Sequence, residues 1–541
     1  MKCSHAVTLI LLIWATIYLP HLGERELRGE EARRIVPAQE MIRTSNWVVP
    51  TIAGEHYGNK PPFINWVIAA SFLLTGSESE FAARLPSALS LLLLSFAIFF
   101  VLRKEFGEQF AIAATFVLLT AIAMIDKCRT AEIESVFIAL FGFACLSWIA
   151  LWTSRKSPWM IWTLPYIFIG LGCLTKGPVH LPFWLFFLLP VLKSSKSLRS
   201  FFHPAHLLGL VILGLITIPW VLANLGAVDN PDSTVDNWVV EIAGRVKIDP
   251  SILASWARQP LDILLDFLPW TLPLLYSLWH LRKSKRPSAS TGLQRWDAVI
   301  HGCFWSVVIS TILLVLIPGG RPRYLMPLYV PAAIAVISFY FRLNEERRFA
   351  YEAFGFKTLR ILAIVIPLVV VGGTIQALKK DLEPLWISTI LSFTGLIACC
   401  VWLFRKNNTF NLFITTGIFV AVAFAAVNTT AVPFLRDRYH FRDGADKIQA
   451  LSDGVPGKSV LYADKTFRYA IADLRGLIYY LGDNFVKQGE SKELPENTGF
   501  VIGRQGSLPE MEALAASYRI DKRVDLEIKG HAVTALYLSR R

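Results

Sequence analysis

Cysteine is scarce and poorly placed for cross-linking. Only seven occur in 541 residues (Cys3, Cys128, Cys145, Cys173, Cys303, Cys399 and Cys400), and the polar C-terminal stretch has none. No disulfide framework and no CxxC metal pair is present. His56 and His180 form no HxxH or HxxxH pair, so no zinc site is specified. Charge is also low, at 18% of residues against 54% hydrophobic, which is unlike a soluble globular chain. The first apolar segment, placed at 4–21, is followed by no small-residue cleavage site: Tyr18-Leu19-Pro20-His21 stands there, so the segment is read as an uncleaved anchor. Cys3 precedes that run, the wrong place for a lipoprotein cysteine. Gly457-Lys458-Ser459 hints at a phosphate loop, but Ser452 replaces the first glycine and a strand-like run follows.

Apolar runs dominate instead. They fall near 4–21, 82–102, 108–126, 133–153, 158–175, 178–193, 206–223, 262–281, 298–317, 324–341, 359–378, 385–404 and 411–432. A bilayer crossing takes about 20 apolar residues, so the pattern predicts an α-helical polytopic membrane protein with about thirteen spans. The net charge of +13 does not point to nucleic acid, because the basic residues punctuate the ends of these runs. With a cytoplasmic N-terminus, the loops at 103–104, 155–156, 193–199, 282–286, 342–348 and 405–406 all fall on one side. Each is basic, which marks that side as cytoplasmic. The long loop 22–61 also carries arginines and lands outside, but it is dense in glutamate and long loops weigh less in this rule.

Three polar regions then face outward: the loop 22–61 with a short amphipathic helix at 62–75, the loop 224–259, and the tail from about 434. The tail reads as a small α/β domain. Its strand-like runs are 459–463, 499–503 and 532–538, and its helix-like runs are 445–451, 469–481 and 509–517. The expected division is 1–433 for the transmembrane part, including an extracytoplasmic loop at 22–81, and 434–541 for the soluble part.

Chemistry concentrates on the outer face. Glu30 and Glu31 are adjacent carboxylates just beyond the first span and are candidates for a general base; the plainer alternative is a solvated helix face with Glu30 and Arg34 as an i,i+4 ion pair. Tyr57-Gly58-Asn59-Lys60-Pro61-Pro62 opens a helix whose N-terminus attracts phosphate, with Lys60 placed to add a full charge or to snorkel at the interface. Cation-proline pairs recur at Thr175-Lys176-Gly177-Pro178 and at Arg321-Pro322-Arg323-Tyr324, so several cations are placed to serve one phosphate. Asp126, Glu132 and Glu134 sit at the junction of two spans, where a carboxylate is costly unless paired or facing water. Arg129 is the obvious partner for one of them; the alternative is a second acid in an active cavity.

In order along the chain, Glu30-Glu31, Gln39-Glu40-Met41, Asn46-Trp47, Val49-Pro50, Tyr57, Lys60-Pro61-Pro62, Trp66 and the run Phe81 to Ala88 resemble one known signature. It is that of the bacterial protein O-mannosyltransferase and aminoarabinose (lipid A) transferase group, within the GT-C class of membrane glycosyltransferases. The likeness continues through Leu174 to Pro178, Pro269-Trp270 and Arg323 to Pro327, covering roughly residues 25 to 330. It implies a GT-C fold, a polyprenyl-phosphate sugar donor, inversion at the anomeric carbon, and a lipid, glycan or protein acceptor. By this likeness the catalytic acid falls on Glu30, its companion on Glu31, and a further acid on Glu134. Lys60 holds the carrier phosphate with Tyr57, Lys176, Arg321, Arg323 and Tyr324 beside it. Glu30 stands where relatives have aspartate and Asn59 where they often have glutamate, so no cofactor is firmly implied and a divalent metal is allowed without being specified. The expected setting is a bacterial inner membrane with the tail extracytoplasmic. A secondary transporter is the alternative, although the charges cluster at one surface and no internal repeat is visible. A non-catalytic scaffold would not require the Glu-Glu and Lys-Pro-Pro set.

Overall fold

The computed structural model describes residues 2–58, 60–227, 250–281, 294–405, 412–451, 458–461, 475–482, 485–487, 494 and 498–540. Asn59, Gly457 and most of the 224–259 loop lie outside them. The chain divides into two compact units. The first comprises Met1–Pro20, Asn59–Ile64 and Leu85–Thr430; the second comprises His21–Gly58, Asn65–Arg84 and Ala431–Arg541.

The first unit is helical. Among the described residues nine helices are long and apolar enough to cross a membrane, or ten if the bent pair Leu253–Asp266 and Thr271–His280 is one span. Cys3–Tyr18 and Pro178–Ser194 are shorter apolar helices. Each of the thirteen apolar runs falls on helix. Two of them share the 41-residue helix Glu80–Thr120, which breaks at Gly107, where φ is 78°. Only glycine takes that conformation without strain. The 262–281 run is not one straight helix: it bends by 94° across Phe267-Leu268-Pro269-Trp270, because proline cannot donate the helical hydrogen bond. Burial is deepest along Ile133–Thr153 and Pro322–Phe341, whereas Glu345–Lys379 and Trp386–Phe404 leave most of their surface outside, as helices facing lipid do.

Without a hydrophobic force between helices in lipid, close packing and hydrogen bonds hold such a bundle. The Tyr18 hydroxyl donates to the Leu119 carbonyl at 2.8 Å, Trp14 Nε1 to the Ala88 carbonyl at 2.8 Å, and Ser135 Oγ to the Ser87 carbonyl at 2.6 Å. The helices Pro158–Lys176 and Pro204–Gly226 meet at Gly209, where a Cβ would lie 2.1 Å from the Trp162 carbonyl oxygen.

Among the described residues the second unit carries a five-stranded sheet in the order β4-β3-β5-β7-β6. Its strands are β3 (Lys458–Leu461), β4 (Phe485–Lys487), β5 (Thr498–Arg504), β6 (Tyr518–Ile528) and β7 (His531–Arg540). A separate two-residue hairpin pairs β1 (Thr51–Ile52) with β2 (Glu55–His56). β3 runs parallel to β4 and β5, while β7 is antiparallel to β5 and β6. Three strands lie where the sequence pattern puts them; β4 and β6 were not anticipated. Helices Phe441–Leu451 and Leu508–Leu514 match the expected runs, and residues 475–481 are helical within the third.

The helix expected to be amphipathic, observed as Phe63–Thr75, is apolar. Its polarity is inverted: Asn65 and Ser71 are buried, donating to the Arg34 and Ala82 carbonyls, while Leu73 and Leu74 are exposed. Inward polar groups find backbone partners there, and leucine on the outside suits an apolar surrounding.

Gly209→Val is expected to lower the thermal midpoint of the detergent-solubilised chain, reflecting an overpacking cost of about 1–3 kcal/mol. An unchanged midpoint would show that the two helices do not pack at this glycine.

Candidate active site

The charges expected at the outer face resolve into two clusters, one in each unit. In the first unit, Glu134 lies in the first turn of Ile133–Thr153, where a carboxylate favours the free amides and the helix dipole. Lys176 is the last residue of Pro158–Lys176, which ends at Gly177 with φ 78°, so its cation sits at the end that favours positive charge. Lys176 Nζ lies 3.3 Å and Arg323 Nε 3.5 Å from the same oxygen, Glu134 Oε1. Arg323 comes from the short 3-10 turn Pro322–Leu328. The Lys176 ammonium also stands 5.4 Å from the Phe137 ring centre and 5.1 Å from that of Tyr324. Lys60 is near enough to repel it.

Beside this group, Lys127 Nζ contacts Glu132 Oε2 at 2.9 Å and Asp126 Oδ2 at 3.6 Å, and Arg323 Nη1 is 3.9 Å from Glu132. The sequence reading missed Lys127. Arg129, expected as the acids' partner, instead donates to the Ile17 and Pro20 carbonyls and lies 5.2 Å from the Phe424 ring centre. It closes the C-terminal end of the first helix instead. Its spacing from the acids was right, but the unsatisfied carbonyls of that helix end offer closer acceptors. Arg321 is exposed, and no ion pair among the described residues includes it. His180 is a core residue: it is buried, its Nε2 is 3.0 Å from the Ile169 carbonyl, and Phe137 lies edge-on at 4.9 Å.

In the second unit the adjacent glutamates part company. Glu31 is completely buried. Arg84 grips it with Nε at 2.7 Å from Oε1 and Nη2 at 3.0 Å from Oε2, and the Arg28 amide donates to Oε2 at 2.9 Å. The remaining Arg84 hydrogens go to the carbonyls of Leu22, Arg25 and Glu26. Glu30 keeps 32% of its side-chain surface, with Arg33 Nη1 at 2.7 Å and Arg34 Nη2 at 3.8 Å. The i,i+4 pair anticipated with Arg34 is therefore present, with a closer i,i+3 pair beside it. Tyr57 is buried and its hydroxyl accepts from Arg34 Nη1 at 3.3 Å. Among the described residues no three His, Cys, Asp or Glu side chains are grouped as a metal ligand set.

Residues 59–222 match the family described as dolichyl-phosphate-mannose-protein mannosyltransferase. The chain is 28% identical to the undecaprenyl phosphate-alpha-4-amino-4-deoxy-L-arabinose arabinosyl transferase of Edwardsiella ictaluri, over 69% of this chain and 64% of that one. It is 27% identical to the second such transferase of Proteus mirabilis, over 64% and 61% respectively. The matches thus span a little under two thirds of those relatives' length. The fold is similar to that of ArnT from Cupriavidus metallidurans bound to undecaprenyl phosphate, with a TM-score of 0.71 at 17% identity, covering 99% of this chain and 98% of that one. The chain has a GT-C fold. It is a multi-pass membrane protein.

The two glutamates should separate in stability. Glu31→Gln leaves the Arg84 guanidinium buried without its counter-charge, which costs about 3–5 kcal/mol. Glu30→Gln removes only a partly exposed pair worth about 0–1 kcal/mol. Thermal unfolding of the two variants in the same detergent checks this; equal midpoints would contradict it.

Proposed function

We propose that this chain is an inverting glycosyltransferase that moves a sugar from a polyprenyl-phosphate donor to a lipid, glycan or protein acceptor at the outer face of the bacterial cytoplasmic membrane. The observation that carries this reading is the Glu134 group, in which Lys176 and Arg323 share one carboxylate oxygen at the ends of three spans. Charged groups gathered at such a depth, even where Lys127, Lys176 and Arg323 are matched by Asp126, Glu132 and Glu134, are costly in a membrane chain and mark a functional site. The arabinosyl transferase relatives, named for an undecaprenyl-phosphate sugar, support the same reading.

In this account the acceptor oxygen attacks the anomeric carbon as the bond from that carbon to the carrier phosphate breaks. Glu30 takes the acceptor's proton. Glu31 is left to Arg84 as a structural carboxylate, because both of its oxygens are occupied. Lys176 and Arg323 stabilise the negative charge arriving on the departing phosphate, with Lys60 and Arg321 as further cations. Tyr324 shields the Lys176 ammonium from water, and Glu134 holds the two cations in place. Preorganised charge of this kind supplies the larger share of the acceleration. The leaving group is a phosphate already, so no nucleotide is consumed.

The proposed division of labour gives transfer to 1–433 with the loop 22–81, and a soluble extracytoplasmic role to 434–541. The N-terminus is cytoplasmic in this arrangement, as the basic short loops require.

Glu30→Gln is expected to slow release of polyprenyl phosphate from a labelled donor by about 10²- to 10⁴-fold, and Lys176→Met by about 10²- to 10³-fold. Full turnover in Glu30→Gln would remove its role as base. Movement of solute into liposomes by the wild-type chain, without release of carrier phosphate, would favour the transporter instead.

A further inference from the structure

Away from the Glu134 group, the first unit holds a mainly apolar cavity of about 620 Å³. It lies among the helices Pro158–Lys176, Leu181–Ser194 and Pro204–Gly226, lined by Trp184, Phe201, Phe202, Leu207 and Leu210. That volume falls within the range of about 300–1,000 Å³ usual for small-ligand sites. Tyr166 also lines it and stands ten residues before Lys176 on one helix, a rise of about 15 Å. The cavity therefore belongs to the end of that helix opposite the charged group.

Its walls are held by the protein itself. After Leu181–Ser194 the chain turns at Lys196, where φ is 56°, and the Ser197 amide donates to the Leu192 carbonyl at 2.8 Å. The 3-10 turn Leu198–Phe202 then brings Phe201 and Phe202 to the cavity. His206 Nδ1 donates to the Phe201 carbonyl at 2.6 Å and its Nε2 accepts from the Tyr166 hydroxyl, so neither ring nitrogen is left for a polar ligand. Phe202 is 83% and Leu207 66% exposed, which gives the cavity an apolar rim. The charge beside that rim has one sign. From 135 to 228 the sequence has lysine and arginine but no aspartate or glutamate, and Lys193, Lys196 and Arg199 are exposed in the segment that leads into the cavity wall. The positive-inside rule accounts for these cations alone. It does not account for an aromatic cavity next to them, whereas basic pockets between spans are where anionic lipid headgroups are held.

We propose that this cavity holds an acyl chain of one anionic glycerophospholipid from the surrounding bilayer, with the headgroup phosphate on Lys193, Lys196 and Arg199. The lipid lies in the leaflet away from the Glu134 group, which is the cytoplasmic leaflet in the arrangement proposed above. Its chain covers Phe202 and Leu207, and its phosphate supplies the negative charge that residues 135–228 lack. The site stands whether or not the chain transfers sugar, and no covalent step is involved.

The test titrates the full chain in detergent with dioleoyl phosphatidylglycerol or dioleoyl phosphatidylcholine and follows retained lipid by native mass spectrometry. One phosphatidylglycerol is expected to be held at least about fivefold more tightly than phosphatidylcholine, which has the same chains and no net charge. Lys193→Gln, Lys196→Gln and Arg199→Gln made together are expected to abolish that preference while leaving phosphatidylcholine unchanged. Leu207→Trp, which fills the rim from an exposed position, is expected to weaken both lipids severalfold, and Leu207→Phe to do so by less. Equal retention of the two lipids by the unaltered chain would overturn the proposal, as would a preference that survives the triple change. Phosphatidylglycerol retention unmoved by both Leu207 variants would overturn it too, because the headgroup would then be held without the cavity. Displacement of phosphatidylglycerol by polyprenyl phosphate in a chain carrying Lys176→Met would give the cavity to the carrier's tail and would also overturn it.

Discussion

The buried grip of Arg84 on Glu31 is the constraint on which the loop 22–61 depends. One guanidinium closes on both carboxylate oxygens and also satisfies three carbonyls of residues 22–26. A pair with no exposed surface gains little net stability over an apolar substitute, but it is unforgiving of alternatives, since either partner left alone is an uncompensated charge. The consequence is local order in a segment with little apolar content. The neighbouring Glu26 is fixed in the same manner, accepting from the Tyr439 and Arg442 amides at 2.8 and 3.0 Å. Arg442 in turn binds Glu80 at 2.5 Å, as does the Tyr480 hydroxyl at 2.8 Å. Residues more than 350 positions apart are thereby joined within one unit.

That network divides the labour of two adjacent glutamates. Glu31 is spent on structure, and Glu30, one residue on, keeps access to solvent at the start of the helix Ala32–Thr44. Glu31 is the N-cap residue of that helix and Glu30 lies in the turn before it, so a fixed Glu31 leaves Glu30 to the helix residues Arg33 and Arg34. In the first unit the helix ends do similar work. Glu134 sits where a helix begins and Lys176 where one ends, so these two charges are aligned with the dipoles of the helices that carry them.

Hydropathy made the helices legible because a bilayer crossing demands a long apolar run whatever its partners. The bend at Pro269 was visible as a proline but not as an angle, which depends on packing. Strand β6 escaped notice for a physical reason: it lies at the sheet edge, and its sequence, Tyr518 to Ile528, is mostly charged, which is how natural sheets keep edges from pairing further. β4 has three residues and no periodicity to read. The candidate charges were legible as types; their partners were not. Nothing local in the sequence ties Lys127 to Glu132 in preference to Arg129, because pairing is set by the fold. The resemblance carried Lys60, Lys176 and Arg323 as a set, and the geometry around Glu134 gives two of them a common oxygen.

The central claim is transfer of sugar from a phosphate carrier, and it is tested most directly by following both products at once. The purified full chain would be incubated with a polyprenyl-phosphate sugar labelled in the sugar, together with an extract of envelope lipids and glycoproteins. The account predicts free polyprenyl phosphate and labelled acceptor in equal amounts, with the anomeric configuration inverted. Intact donor, or label on an acceptor with retained configuration, would contradict it.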